Sequence, residues 1–149
     1  MKTDLYGKKT SGKPAPERTY TWSPERRRYV RYVCAWKIKF CELDEKNTPE
    51  GIPTLHTGKC KDLSQGGIKI SSFQPLKRNA FAMIEFDSAL FSKHIQLESI
   101  LKTAQNRLLA KVMWRHLNLE TQIFEAGLEF LKESDRLKYK NLIDQVKAV

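Results

Sequence analysis

Lys61-Asp62-Leu63-Ser64-Gln65-Gly66-Gly67-Ile68-Lys69-Ile70 reads as a strand that enters a tight polar turn and leaves as a second strand. Asp and Ser favour such a turn because their side chains bond to nearby backbone groups. Glycine favours it because it accepts backbone conformations and close approaches that a Cβ would block. Beyond the turn, Ile68 and Ile70 alternate with Lys69 and Ser71, which is the period of a strand with one buried face, and Pro75 ends the run.

The same period extends outward in both directions. Upstream, Val30, Tyr32, Cys34, Trp36, Ile38 and Phe40 share one face, with Arg31, Lys37 and Lys39 on the other, so a long half-buried strand is expected there. Leu43 to Pro53 has the composition of a loop, and a second strand is expected from about Thr54 to Lys61. Downstream, Ala80, Ala82, Ile84 and Phe86 form a fourth alternating set, and Ile95, Leu97 and Ser99 a weaker fifth. Leu108, Ala110, Val112 and Trp114 form a sixth, and Ala126, Leu128 and Phe130 a seventh. So many short strands in so short a chain predict a mainly β protein, a small closed or nearly closed antiparallel barrel of six to seven strands. The last element changes period. Tyr139, Leu142, Ile143 and Val146 recur at helical spacing, with Ser134 placed to cap and Asp135 in the first turn, so a C-terminal helix should pack on the barrel.

Length and charge bound the partners. At 149 residues the chain is one domain with room for a core. Residues 1–24 carry Gly7, Gly12, Pro14, Pro16 and Pro24 among Lys, Thr and Ser, and are expected to be a flexible arm. Residues 25–149 form the domain. The formal net charge is +10, and residues 1–31 alone hold nine Lys or Arg against three acids. Such a concentration suits a phosphate-bearing partner, whether nucleic acid, an anionic membrane surface or a small nucleotide, and equally suits a solvated tail. Three cysteines without a paired spacing signal neither a disulfide framework nor zinc. No run of residues is apolar enough to span a bilayer or to serve as a signal peptide, so a reduced, cytoplasmic protein is expected. No catalytic constellation is found. His56, His94 and His116 lack ligand-spaced partners, Ser64 lacks a nucleophile elbow, and there is no Walker pattern, so no enzyme, metal or cofactor is expected.

The arginine cluster Glu25-Arg26-Arg27-Arg28-Tyr29-Val30-Arg31 gives the turn a partner. With it, the chain resembles the PilZ domain family, whose pattern is Arg-x-x-x-Arg followed by Asp/Asn-x-Ser-x-x-Gly. Arg27 and Arg31 match the first part, and Asp62, Ser64 and Gly67 the second. Ala126 to Phe130 and Val112-Met113-Trp114 match weaker family features, and the resemblance covers residues 25–147. It implies a split β-barrel with a C-terminal helix. It further implies a bacterial receptor for cyclic di-GMP that passes its signal to a protein partner in motility, secretion or other effector machinery.

The residue chemistry agrees with that implication. Arginine can grip phosphate bidentately, donate to guanine O6 and N7, or stack on a base. Arg27 and Arg31, four apart in an extended segment, would lie on one face roughly 13 Å apart and could hold separate parts of a ligand, with Arg26 and Arg28 assisting. Asp62 would accept from the N1–H and N2–H donors of guanine. Ser64 would donate or accept at the same base, Gly66 and Gly67 would admit close approach, and Trp114 would offer a stacking face. Each piece also has a plain structural reading: an ordinary hairpin turn, a solvated charge cluster, a core tryptophan. Two other functions stay open beside the receptor. One is a nucleic-acid-binding barrel, against which stands the lack of an aromatic-rich strand face. The other is a PilZ-like docking scaffold.

Overall fold

The computed structural model describes residues 29–43 and 54–147. The arm over residues 1–24, the arginines Arg26, Arg27 and Arg28, and the loop after Leu43 lie outside the described residues.

The described residues form seven strands: β1 (Tyr32–Leu43), β2 (His56–Leu63), β3 (Gly67–Ser72), β4 (Phe81–Glu85), β5 (Lys102–Ala104), β6 (Arg107–Asn118) and β7 (Ile123–Phe130). Every pairing is antiparallel. Six strands close on themselves in the order β4-β1-β2-β3-β7-β6, with β6 returning to pair with β4, and the three-residue β5 adds to β6. Closure removes the unpaired edges that a sheet of this size would otherwise expose.

Two apolar clusters hold the barrel. Its interior is filled by the inward set that the alternation predicts: Ile38 and Phe40 from β1, Ile68 and Ile70 from β3, Ala82 and Ile84 from β4, Ala110 and Val112 from β6, and Leu128 and Phe130 from β7. The second cluster lies on the outer face of β1, β4 and β6. There Cys41, Phe81, Met83 and Leu109 are covered by Leu142, Ile143 and Val146 of the helix α2 (Lys140–Val146). β4 is therefore buried on both faces and reads as a continuous apolar run, Phe81 to Ile84, rather than as one alternating set.

Two expectations fail locally. Ile95 to Ser99 is not a strand. A single-turn helix α1 (Ser88–Phe91), capped by Asp87 Oδ1 accepting from Leu90 N, leads into successive turns whose amides bond locally, His94 N and Ile95 N to Phe91 O and Ile100 N to Leu97 O. These turns set Phe91, Ile95 and Ile100 into the barrel, with the Phe91 ring centroid 4.8 Å from that of Phe86 and 5.5 Å from that of Trp36. Full burial of a side chain such as Phe91 is worth roughly 2–3 kcal/mol. Ser134 likewise does not cap the C-terminal helix. It sits in a 3-10 turn (Glu133–Asp135), and α2 starts at Lys140 after Tyr139, without a side-chain cap, so packing against Phe81 and the second cluster holds the helix in place.

Candidate functional site

Three strand irregularities shape one end of the outer barrel surface. β2 shifts register between Cys60 and Asp62, which lets Leu63 return to the core while Lys61 and Asp62 stay outside it. β6 shifts between Val112 and Trp114, which breaks the alternation and leaves both Met113 (44% exposed) and Trp114 (41%) on the surface. β1 shifts between Val33 and Trp36, just after Arg31. A bulge of this kind re-aims side chains at the cost of one ladder position. Here the bulges bring three strands' worth of polar and aromatic groups together.

The result is an open depression of ≈220 Å³ lined by Arg31, Asp62, Ser64, Gly66, Gly67, Lys69, Met113, Trp114, Gly127 and Glu129, with Ile68 and Leu128 completing it. The turn at its rim is tightly made. Ser64 N donates to Gly67 O at 2.9 Å, and Gly67 N donates to Ser64 Oγ at 3.2 Å. Gln65 at the tip is tied down as well, with Nε2 donating to Gln96 O and Oε1 accepting from Gln96 N, both at 2.7 Å. Phe130 N donates to Gly66 O at 3.0 Å.

Neither turn glycine adopts a left-handed φ, and close approach is what requires them. A Cβ on Gly67 would stand 2.3 Å from Leu128 O, and one on Gly66 would stand 2.9 Å from the Tyr29 ring. Gly127, the cross-strand partner of Trp114, serves the same end, because a Cβ there would fall 2.1 Å from the indole Nε1. The indole therefore packs directly against Gly127 of β7.

Asp62 is the chemically unusual member. Its Oδ2 is 3.6 Å from Arg31 Nη1, an ion pair without a close hydrogen bond, and its Oδ1 is buried with no hydrogen-bond partner among the described residues. An orphaned buried acceptor costs about 1–3 kcal/mol, so each one in a folded protein calls for an explanation. Among the described residues the lining charges balance, Arg31 and Lys69 against Asp62 and Glu129.

Of the residues singled out from sequence, Arg31, Asp62, Ser64, Gly66, Gly67 and Trp114 come together in this depression, while Arg26, Arg27 and Arg28 lie outside the described residues. Two details differ from expectation. Asp62 belongs to β2 rather than to the turn, which spans Ser64 to Gly67. Trp114 leaves the inward set of β6 because of the bulge. Sequence reasoning missed Lys69, Met113, Gly127 and Glu129 as lining residues, and it missed Tyr29, whose ring packs over Gly66. A glycine in the middle of an alternating strand at Gly127 was the available signal. Among the described residues no group of His, Cys, Asp and Glu is arranged to hold a metal, and no helix is long and apolar enough to cross a membrane.

Known proteins offer three comparisons. No curated protein sequence matches the chain. Among solved structures it is similar to the Bacillus subtilis inhibitor of motility MotI/DgrA (TM-score 0.41, 13% identity, covering 82% of this chain and 50% of that one). It is also similar to the PilZ domain with c-di-GMP of YcgR from Escherichia coli (TM-score 0.40, 12% identity, covering 82% of this chain and 92% of that one). The family model of the PilZ domain matches residues 25–147, which agrees with the closed barrel and the C-terminal helix, and the chain belongs to the PilZ domain family.

Proposed function

We propose that the protein is a cytoplasmic receptor for cyclic di-GMP and that the depression between the β2–β3 turn and Trp114 is its binding site. The observation that carries this reading is Asp62, which lines a pocket shared with arginine, glycine backbone and indole and has one buried oxygen, Oδ1, without a hydrogen-bond partner among the described residues. A guanine edge offers two adjacent donors, N1–H and N2–H, that match the two oxygens of one carboxylate. Trp114, exposed and braced by Gly127, offers a face for stacking. Because the lining charges cancel, the two ligand phosphates need further cations. Arg26, Arg27 and Arg28 directly precede Tyr29 in the sequence and are the cations we assign to that task.

Titration calorimetry tests the site. Cyclic di-GMP should bind at micromolar concentration or below, and Arg27→Ala, Arg31→Ala and Asp62→Ala should each weaken it at least tenfold, about 1.4 kcal/mol. Unchanged affinity in all three removes the assignment. A salt-steep affinity for generic oligonucleotides would favour a nucleic-acid-binding barrel instead, and no affinity for either ligand would favour a docking scaffold.

The same reading carries a relay to a protein partner. Four arginines within residues 26–31 repel one another, and two phosphates would remove that repulsion, drawing the segment against the turn and re-aiming the arm with Tyr20 and Trp22. Amide exchange over residues 26–31 should slow on adding cyclic di-GMP, and deletion of residues 1–24 should leave binding intact while abolishing the output. Equal protection with and without ligand would require another route for the signal.

A further inference from the structure

The bulge in β1 does something besides following Arg31. It turns Cys34 toward Cys60 on the neighbouring strand, so that the two Sγ atoms stand 3.1 Å apart. Both are free thiols in a short hydrogen-bonded chain. Cys34 Sγ–H donates to Cys60 O at 3.2 Å, and Cys60 Sγ–H donates to Asp62 O at 3.7 Å. Cys34 is half-buried at the edge of the barrel core, whereas Cys60 is fully buried within it. A disulfide bond is ~2.05 Å long, so the sulfurs need to approach by about 1 Å, a distance within reach of side-chain rotation. Cys41, the third cysteine, lies in the other apolar cluster beneath α2.

We propose that Cys34 and Cys60 form a reversible oxidation site whose oxidant is a hydroperoxide, and that closing the bridge weakens binding in the adjoining pocket. Cys34, the less buried of the two, reacts first. Its thiolate attacks the peroxide oxygen, the O–O bond breaks, the leaving alkoxide or hydroxide takes a proton, and Cys34 becomes a sulfenic acid. Cys60 sulfur then attacks Cys34 sulfur, hydroxide leaves, and the Cys60 proton goes to it as water. In sum, two thiols and one hydroperoxide give one disulfide, one alcohol or water, and one water. Burial and the neighbouring Cys34 hold the Cys60 thiol well above its ordinary pKa, which protects it from direct attack. Its reaction with Cys34 is intramolecular at contact distance, which offsets the low thiolate population.

The bridge would act on the pocket through Asp62. Oxidation removes both thiol protons, so the Asp62 and Cys60 carbonyls lose their donors. It also draws the β1 bulge toward β2 between Arg31 and Asp62. This part rests on the cyclic di-GMP reading; the bridge itself does not.

The test uses the full chain, treated with excess hydrogen peroxide and analysed by intact mass, thiol alkylation after unfolding, and peptide mapping. The expected product is a monomer lighter by about 2 Da, with Cys41 alone alkylatable, a peptide joining Cys34 to Cys60, and full reversal by dithiothreitol. Its Tm should rise by roughly 5–10 °C, because the bridge closes a loop in the unfolded chain. Cys41→Ser should behave as the wild type, and Cys34→Ser should form no bridge. Three alkylatable thiols after treatment, or bridges between molecules or to Cys41, overturn the proposal without recourse to any variant. Fully bridged protein should bind cyclic di-GMP roughly tenfold more weakly than reduced protein. Equal affinity overturns the coupling to the pocket but leaves the bridge standing. A reduced protein that never binds counts against the receptor reading instead.

Discussion

Two hairpin turns in this barrel follow an aspartate or asparagine, and they use it in opposite ways. In the β6–β7 turn, Asn118 Oδ1 accepts from Glu120 N at 3.0 Å and from Thr121 N at 3.2 Å, and Asn118 O accepts from Gln122 N at 2.7 Å. The side chain is spent on its own backbone, and the turn stands exposed, with Leu119 76% accessible. In the β2–β3 turn, Ser64 and Gly67 complete the backbone bonds by themselves, and Gln65 ties the tip to Gln96. The Asp62 side chain makes no hydrogen bond to that turn, and one of its oxygens is buried without a partner among the described residues. The difference separates two jobs that look alike in sequence. An Asx residue that folds its turn is consumed by it; one left over beside a finished turn is not, and its role has to be sought elsewhere.

The largest effect expected from breaking this contrast falls on the finished turn. Gly67→Ala would place a Cβ 2.3 Å from Leu128 O, backbone that cannot yield without parting β3 from β7. It should lower stability by about 3 kcal/mol, read from the midpoint of urea unfolding. An unchanged midpoint would mean that the close approach is not needed. Next comes the platform. Trp114 is 41% exposed and the rest of it packs on Gly127, so Trp114→Ala should lower stability by about 1–2 kcal/mol, less than Gly67→Ala does. Loss of base stacking, about 1–3 kcal/mol, should weaken cyclic di-GMP about tenfold or more in the same calorimetric titration. Affinity equal to wild type would make the indole a bystander.

Much of the fold was legible because alternation is a direct imprint of a one-sided core. Ile38, Phe40, Ile68, Ile70, Ala110, Val112 and Leu128 all point where period two places them. What escaped was local or collective. β5 is three residues long, too short for any period. Ile95, Leu97 and Ser99 alternate by accident of a turn that plugs the barrel. Phe81 and Met83 look like the solvent face of β4 until α2 covers them. The motif residues Arg31, Asp62, Ser64 and Gly67 could be named in advance because they match the pattern of the PilZ family, with which their turn chemistry and charge agree. The exposure of Trp114 and Met113 could not, because a bulge adds a residue to one strand without changing its composition. Nor could the approach of Cys34 to Cys60, which depends on a second bulge and on strand register.

The smallest effect is also the sharpest discriminator between the two turns. Asn118→Ala removes an acceptor that satisfies two backbone amides, and should cost about 1 kcal/mol of stability while leaving cyclic di-GMP affinity unchanged. Asp62→Asn does the converse. It keeps the side-chain shape but relieves a buried, uncompensated carboxylate oxygen. The ion pair it gives up is long, at 3.6 Å, and its Arg31 partner is 45% exposed, so little attraction is lost. Stability should therefore hold or rise by up to about 1 kcal/mol. Binding should nonetheless fall, because an amide presents an N–H donor where guanine offers donors of its own. Urea unfolding and calorimetry on these two variants thus predict opposite patterns, one losing stability and keeping affinity, the other keeping stability and losing affinity. If Asp62→Asn destabilises the barrel as much as Asn118→Ala does, Asp62 is an ordinary structural acid, and the contrast between the turns carries no functional meaning.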